Sequence, residues 1–233
     1  MTFDLKINAL IFDFDGLILD TEGPILQAWQ ETYRQHGFEL PLEQFNTTIG
    51  TYEVDFDPWV HLQELAGNSL DAAAILPARE ARERELISRQ LMLPGVRQYL
   101  QDARRLGLKL GLASSSMRQW VFCYLESLGL SSCFDCIRVK EDVRLTKPYP
   151  DLYLAAAACL GVPPQQAIAF EDSPNGILAA RRAGIYCVAV PTPLTRPLDL
   201  SGANRMIDSL ADLPLEKLLE IVETDIALGK QNQ

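Results

Sequence analysis

Short apolar runs alternate along this chain with longer stretches whose apolar residues recur every three or four positions, a pattern that predicts strands and helices in turn. Five runs have the length and aliphatic character of buried strands: Lys6 to Phe12, Leu108 to Ala113, Phe134 to Val139, Gln166 to Phe170 and Ile185 to Val190. Near-continuous apolar runs of this kind suit a parallel sheet covered on both faces. Helices are predicted over Pro24 to His36, Pro41 to Ile49, Pro58 to Ala66 and Leu70 to Met92, the last with an Arg- and Glu-rich solvated face. Further helices follow from Pro94 to about Leu106, Met117 to Leu128, Pro150 to Gly161 and Leu213 to Ala227. No core-type strand interrupts the first four. The pattern therefore predicts an α/β fold in which residues 20–92 form a helical cap inserted into a core built from residues 1–19 and 93–233.

Composition narrows the class. The 233 residues are 48% apolar and 22% charged, enough for a sizeable core. A net charge of -10 and a pI near 4.7 disfavour broad attraction to nucleic acid or anionic lipid, so a small-molecule substrate is expected. The chain starts MTFDLKINAL, without the features of a signal peptide, and no apolar stretch approaches the ~20 residues of a membrane span, so the cytoplasm is the expected compartment. The five cysteines, an odd number scattered through apolar elements, are expected to be reduced core residues. Cys133 and Cys136 have the spacing of a metal or redox pair, but no second pair or nearby histidine completes a zinc site. His36 and His61 have no nucleophile elbow to serve.

Candidate chemistry sits at the predicted strand ends. Asp13 and Asp15 emerge from the first strand before Gly16, where ligands of open parallel sheets bind, although a plain turn would use the same residues. Ser114, Ser115 and Ser116 stand where the second strand meets a helix, a place that suits either a phosphate oxygen or an ordinary N-cap. Glu171 and Asp172 close the fourth strand. Two adjacent carboxylates there repel each other unless a cation offsets them, which implies a metal.

The stretch DFDGLILDTE resembles the first motif of the haloacid dehalogenase superfamily of phosphohydrolases, most nearly its β-phosphoglucomutase-like, subfamily IA branch. Ser114 matches the second motif, Lys147 in KPYPDLY the third, and Glu171 and Asp172 in EDSPNG the fourth. All four occur in order, each at the end of a predicted strand. The resemblance implies a three-layer Rossmann-like core with a C1-type cap. It implies Asp13 as nucleophile, Asp15 as acid and base, and Ser114, Ser115 and Lys147 on the phosphoryl group. Mg²⁺ is implied on the Asp13 carboxylate, the Asp15 carbonyl and Asp172, with Glu171 a direct ligand or one step behind. An aspartate at position 15 marks phosphoryl transfer, since a departing halide needs no acid. A Mg²⁺-dependent phosphatase acting on a small sugar or nucleoside phosphomonoester is thus the expectation, in a chain expected to be a monomer. A sugar phosphomutase is the alternative, and a non-catalytic binding protein on the same fold a third. In the mutase an arginine of a GxxR loop holds the second phosphate. The corresponding loop here, Gly50 to Glu53, ends in a glutamate that would repel it, although Arg79, Arg82 or Arg118 could supply a charge from elsewhere.

Overall fold

The computed structural model of the chain describes residues 6–50 and 56–229. Its centre is a parallel sheet of six strands: β1 (Ala9–Phe12), β2 (Lys109–Ala113), β3 (Cys136–Arg138), β4 (Ala167–Glu171), β5 (Tyr186–Ala189) and β6 (Arg205–Met206). Their order is β3-β2-β1-β4-β5-β6. β1 lies between β2 and β4, in register Ala9 with Lys109 and Ala167 through Phe12 with Leu112 and Phe170. The first five strands fall within the apolar runs predicted for them, apart from one residue at the end of β4. β6 was not anticipated, because two residues pairing beside β5 are too short to leave a periodic signal.

Alternation along the strands divides the core into two unlike layers. One face carries Leu10, Phe12, Leu110, Leu112, Ile168 and Phe170, with the Phe12 and Phe170 rings stacked at 4.9 Å. Large buried side chains of this type each contribute roughly 1.5–3 kcal/mol. The α5 helix (Val96–Arg105) packs here, placing Tyr99 edge-on against Phe170 at 5.6 Å, together with α6 (Arg118–Ser127) and α9 (Leu215–Gly229). The other face is built from Ala9, Ile11, Ala167, Ala169 and Cys187. Its small residues let α7 (Asp151–Leu160), itself carrying DLYLAAAACL, and α8 (Pro174–Arg182) come close to the strands.

Between β1 and β2 the chain forms α1 (Glu22–Gln35), α2 (Leu42–Asn46), α3 (Pro58–Leu65) and α4 (Ala72–Ser88). These helices bury a cluster of their own, including Trp29, Tyr33, Leu40, Phe45 and Leu62. Asp57 and Asp71 start α3 and α4 by accepting backbone N–H bonds in the first turn. Where the chain leaves β1 and where it returns, Leu19 and Met92 pair in an antiparallel bridge, and the Leu93 N–H donates to the Ile18 carbonyl at 2.9 Å.

The cysteines depart from expectation. Cys136 of β3 and Cys159 of α7 form a disulfide, and Cys123 is exposed. The bonded pair lies 23 residues apart and meets only because α7 folds back over the sheet, an adjacency that spacing does not carry. Among the described residues no helix is long and apolar enough to cross a membrane.

Candidate active site

Three adjacent strands, β2, β1 and β4, end at the same edge, so the residues that follow them converge although they are spread from position 13 to position 172. The chain leaves β1 through Asp13 and turns at Gly16, whose φ is +77°. A side chain there would be strained, and its Cβ would stand 2.1 Å from Asp172 Oδ2, so glycine is what lets Asp172 approach β1. Asp13, Glu171 and Asp172 are all buried, with carboxylate oxygens within 4.8 Å of one another.

Lys147 is the counter-charge in this cluster. It is 1% exposed, bonded to Asp13 and 2.6 Å from Glu171 Oε1. Burial opposes its charge, but the two carboxylates overcome that and hold the ammonium well above the usual lysine range. Glu171 also accepts from the Tyr153 hydroxyl at 2.6 Å, from the Asp172 N–H at 3.3 Å and from Ser173 Oγ at 3.4 Å. Its lone pairs are therefore committed to protein donors. Gly176, one turn into α8, is required beneath it, since a Cβ would lie 2.0 Å from its carboxylate.

Asp172 is the opposite case. Both of its carboxylate oxygens are buried with no hydrogen-bond partner. Burial first, then Glu22, Asp13 and Glu171, push its carboxyl well above the ordinary carboxylate range. Asp13 is pushed up to about 8 by burial, which the Lys147 charge only partly offsets. One ammonium thus faces three carboxylates, and among the described residues that line the cavity no second cation offsets the surplus negative charge. A hard divalent cation with oxygen ligands fits this deficit, and the orphaned Asp172 oxygens together with Asp13 are the donors free to hold it. Glu171, already saturated, fits the position behind them.

Asp15 lines the same cavity but is held differently. Its Oδ1 accepts from Thr21 Oγ1 at 2.8 Å and from the Trp120 indole N–H at 2.9 Å; its Oδ2 accepts from Ser116 Oγ at 2.6 Å and Ser114 Oγ at 3.2 Å. Ser114 is fully buried and also accepts the Ser116 N–H at 3.0 Å, while Ser115 and Ser116 line the cavity. The Ser115 hydroxyl reaches the Gly50 carbonyl at 3.4 Å, and Asn175 Nδ2 donates to the Ile49 carbonyl at 3.0 Å, so the segment after α2 rests on the loop that follows β2 and on the first turn of α8.

The cavity measures about 560 Å³ and runs from Asp13 and Lys147 to a wall formed by the α1–α4 helices, with Trp29, Phe45 and Phe56 as its apolar surface. Among the described residues that line it, Lys147 carries the one positive charge, beside Glu22, Asp57 and Glu83. Arg79 is paired with Glu83 and stacked on Trp29 at 4.4 Å. Arg82 is paired with Glu31 and Glu85, and Arg118 with Asp142. Residues 51–55 of the predicted phosphate-repelling loop, Glu53 among them, lie outside the described residues, and Gly50 at its start borders the cavity.

A family model described as haloacid dehalogenase-like hydrolase matches residues 7–184. The chain belongs to this family. As a hydrolase of that family it is 44% identical to YhcW of Bacillus subtilis, itself only provisionally named a phosphatase, over 92% of this chain and 97% of the relative. It is 30% identical to hexitol phosphatase B of Escherichia coli strain K12, over 97% and 99% of the two chains. Among solved structures it resembles β-phosphoglucomutase of Clostridium difficile, with a TM-score of 0.71 and 27% identity, covering 95% of this hydrolase and 99% of that enzyme.

Sequence reasoning named Asp13, Asp15, Ser114, Ser115, Lys147, Glu171 and Asp172, and the fold brings all seven to one end of the sheet. Glu22, Trp120 and Tyr153 were given no role, and Ser116 was placed with its neighbours at the end of the second strand without its bond to Asp15. Tyr153 was visible inside KPYPDLY, but nothing in a single sequence says that its hydroxyl meets Glu171. Glu22 is buried with Oε2 unpartnered, and burial followed by Asp15, Asp13 and Asp20 drives its carboxyl well above the usual range.

Proposed function

We propose that this hydrolase is a Mg²⁺-dependent phosphatase that cleaves a small sugar or nucleoside phosphomonoester through an aspartyl-phosphate on Asp13. The observation that carries the reading is the buried Asp13–Lys147–Glu171 line beside an unpartnered Asp172. Asp13 and Asp172, with the Asp15 carbonyl, would hold Mg²⁺, which when bound offsets the repulsion between a carboxylate nucleophile and a phosphate dianion. An Asp13 oxygen attacks phosphorus, the ester P–O bond breaks, and Asp15 gives its proton to the departing oxygen. Water then attacks the aspartyl-phosphate, Asp15 takes a proton from it, and inorganic phosphate leaves with Asp13 restored. Lys147 faces the phosphoryl oxygens as charge develops, and Glu171 with Tyr153 keeps its ammonium in place. Ser115 and Ser116 offer hydroxyls at the same end of the cavity, with Ser114 packed behind them against Asp15.

The α1–α4 helices act in this reading as a cap that supplies the leaving-group wall. An apolar, acid-rimmed surface supports a neutral hydroxylated leaving group, and the lack of a second free cation among the described lining residues supports hydrolysis over a bisphosphate-dependent mutase. A panel of phosphorylated sugars, polyols and nucleosides, assayed with Mg²⁺ and with a chelator, tests it. Mg²⁺-dependent phosphate release that Asp13→Asn abolishes is the expected result. Activity that survives chelation, or conversion of hexose 1-phosphate to hexose 6-phosphate without release, overturns it.

A further inference from the structure

Of the four donors around Asp15, three are hydroxyls that can rotate and either give or accept a proton. The fourth, the Trp120 indole N–H, can only donate. Its direction is fixed by the fold. Trp120 stands in the first turn of α6 with its ring edge-on to Tyr124 at 4.9 Å, and it forms part of the cavity wall. A half-buried residue meant only for packing would not need its one polar atom 2.9 Å from the carboxylate that faces the leaving group.

We propose that Trp120 is a positioning residue for Asp15, fixing Oδ1 as a permanent acceptor so that Oδ2 is the oxygen through which the proton moves. Ser114 and Ser116 at Oδ2 can turn from donors to acceptors when that oxygen carries a proton, which the indole at Oδ1 cannot do. The Oδ2 proton passes to the leaving oxygen as the P–O bond breaks, leaving a carboxylate that later accepts a proton from the attacking water at the same oxygen. This inference rests on the acid and base role proposed for Asp15 above.

The readout is the dependence of rate on the leaving group. An alkyl phosphate requires a proton on its departing oxygen, whereas p-nitrophenyl phosphate expels a weakly basic phenolate without one. In Trp120→Phe, and in a protein carrying benzothienylalanine at position 120, where sulfur replaces the N–H in a ring of the same size, the single-turnover rate of alcohol release from an alkyl phosphate should fall about 10- to 100-fold. That is part of the roughly 10²–10⁴-fold a positioned acid supplies. For p-nitrophenyl phosphate the single-turnover rate of nitrophenolate release, which precedes the water step that both substrates share, should stay within about threefold. An equal loss on both substrates, or no loss on either, overturns the assignment, and the isosteric replacement keeps the test open if Trp120→Phe does not fold. Asp15→Asn serves as the reference: if it too shows no split between the substrates, the acid role of Asp15 fails, and if it shows the split while the Trp120 variants do not, only Trp120's role fails.

Discussion

Replacing Tyr153 by phenylalanine isolates one bond in the charge cluster. The hydroxyl donates to Glu171 at 2.6 Å, and both residues are 0% exposed. Phenylalanine fills the same space, so no cavity opens, and its ring still faces the Lys147 ammonium, now 5.3 Å from the Tyr153 centroid. What is lost is a hydrogen bond to a charged group, which contributes about 1.5–3 kcal/mol. Because Glu171 Oε1 keeps Lys147 at 2.6 Å it is not orphaned, and about 2 kcal/mol is the expected cost. For a chain of this size that is a fall in Tm of about 4–8 °C. Thermal unfolding followed by circular dichroism, in EDTA so that no cation contributes, measures it. Hydrolysis at saturating Mg²⁺ should drop only a fewfold, since Lys147 remains bonded to Asp13. A Tm unchanged within about 1 °C would mean that Glu171 does not depend on the hydroxyl, and the account of Lys147 as a braced charge would fall.

Three further outcomes follow from the same cluster. Asp172→Asn should abolish the Mg²⁺-induced rise in Tm and cut hydrolysis at least about a hundredfold, while the metal-free protein becomes no less stable because an unpartnered buried carboxylate is gone; a differential scanning fluorimetry series with and without Mg²⁺ that still shows the rise would count against it. Metal-free stability should decline as pH rises from about 4 through about 8, because Asp13 and Asp172 have raised folded-state values and so bind protons that the unfolded chain has released. The stabilisation by Mg²⁺ should correspondingly grow between about pH 5 and about pH 8, and a pH-independent increment would refute the link. Gly176→Ala, a change that normally adds about 1 kcal/mol inside a helix, should here destabilise by about 1–3 kcal/mol and impair activity, since the new methyl carbon displaces Glu171. Chemical denaturation together with a rate measurement decides it.

The fold was legible because its strands are apolar on both faces and its catalytic candidates sit where those strands stop. Asp13, Asp15, Ser114, Glu171 and Asp172 could all be placed from that rule, with Lys147 in the loop leading to α7. The bonds between them could not. Whether Glu171 meets a cation or an ammonium depends on Tyr153 and Gly176 from two different helices, and only the packed α7 and α8 reveal that it is saturated. Trp120 read as one more apolar residue of an amphipathic helix, because periodicity reports which face is buried and not where an N–H points. The Cys136–Cys159 bond was missed for the same reason. Arg79, Arg82 and Arg118 were available as charges in sequence, yet each is neutralised by a carboxylate that folding brings beside it.

The sheet order has a consequence for synthesis. β1 leaves the ribosome early, but its neighbour β4 and the carboxylates that follow it are made more than a hundred and fifty residues later. Until then a nascent chain holds Asp13 without Asp172, and Lys147 without Glu171. Truncated products ending before Ala167 therefore lack both the brace and the free carboxylate, and premature termination yields inert fragments instead of an unregulated, partly active enzyme.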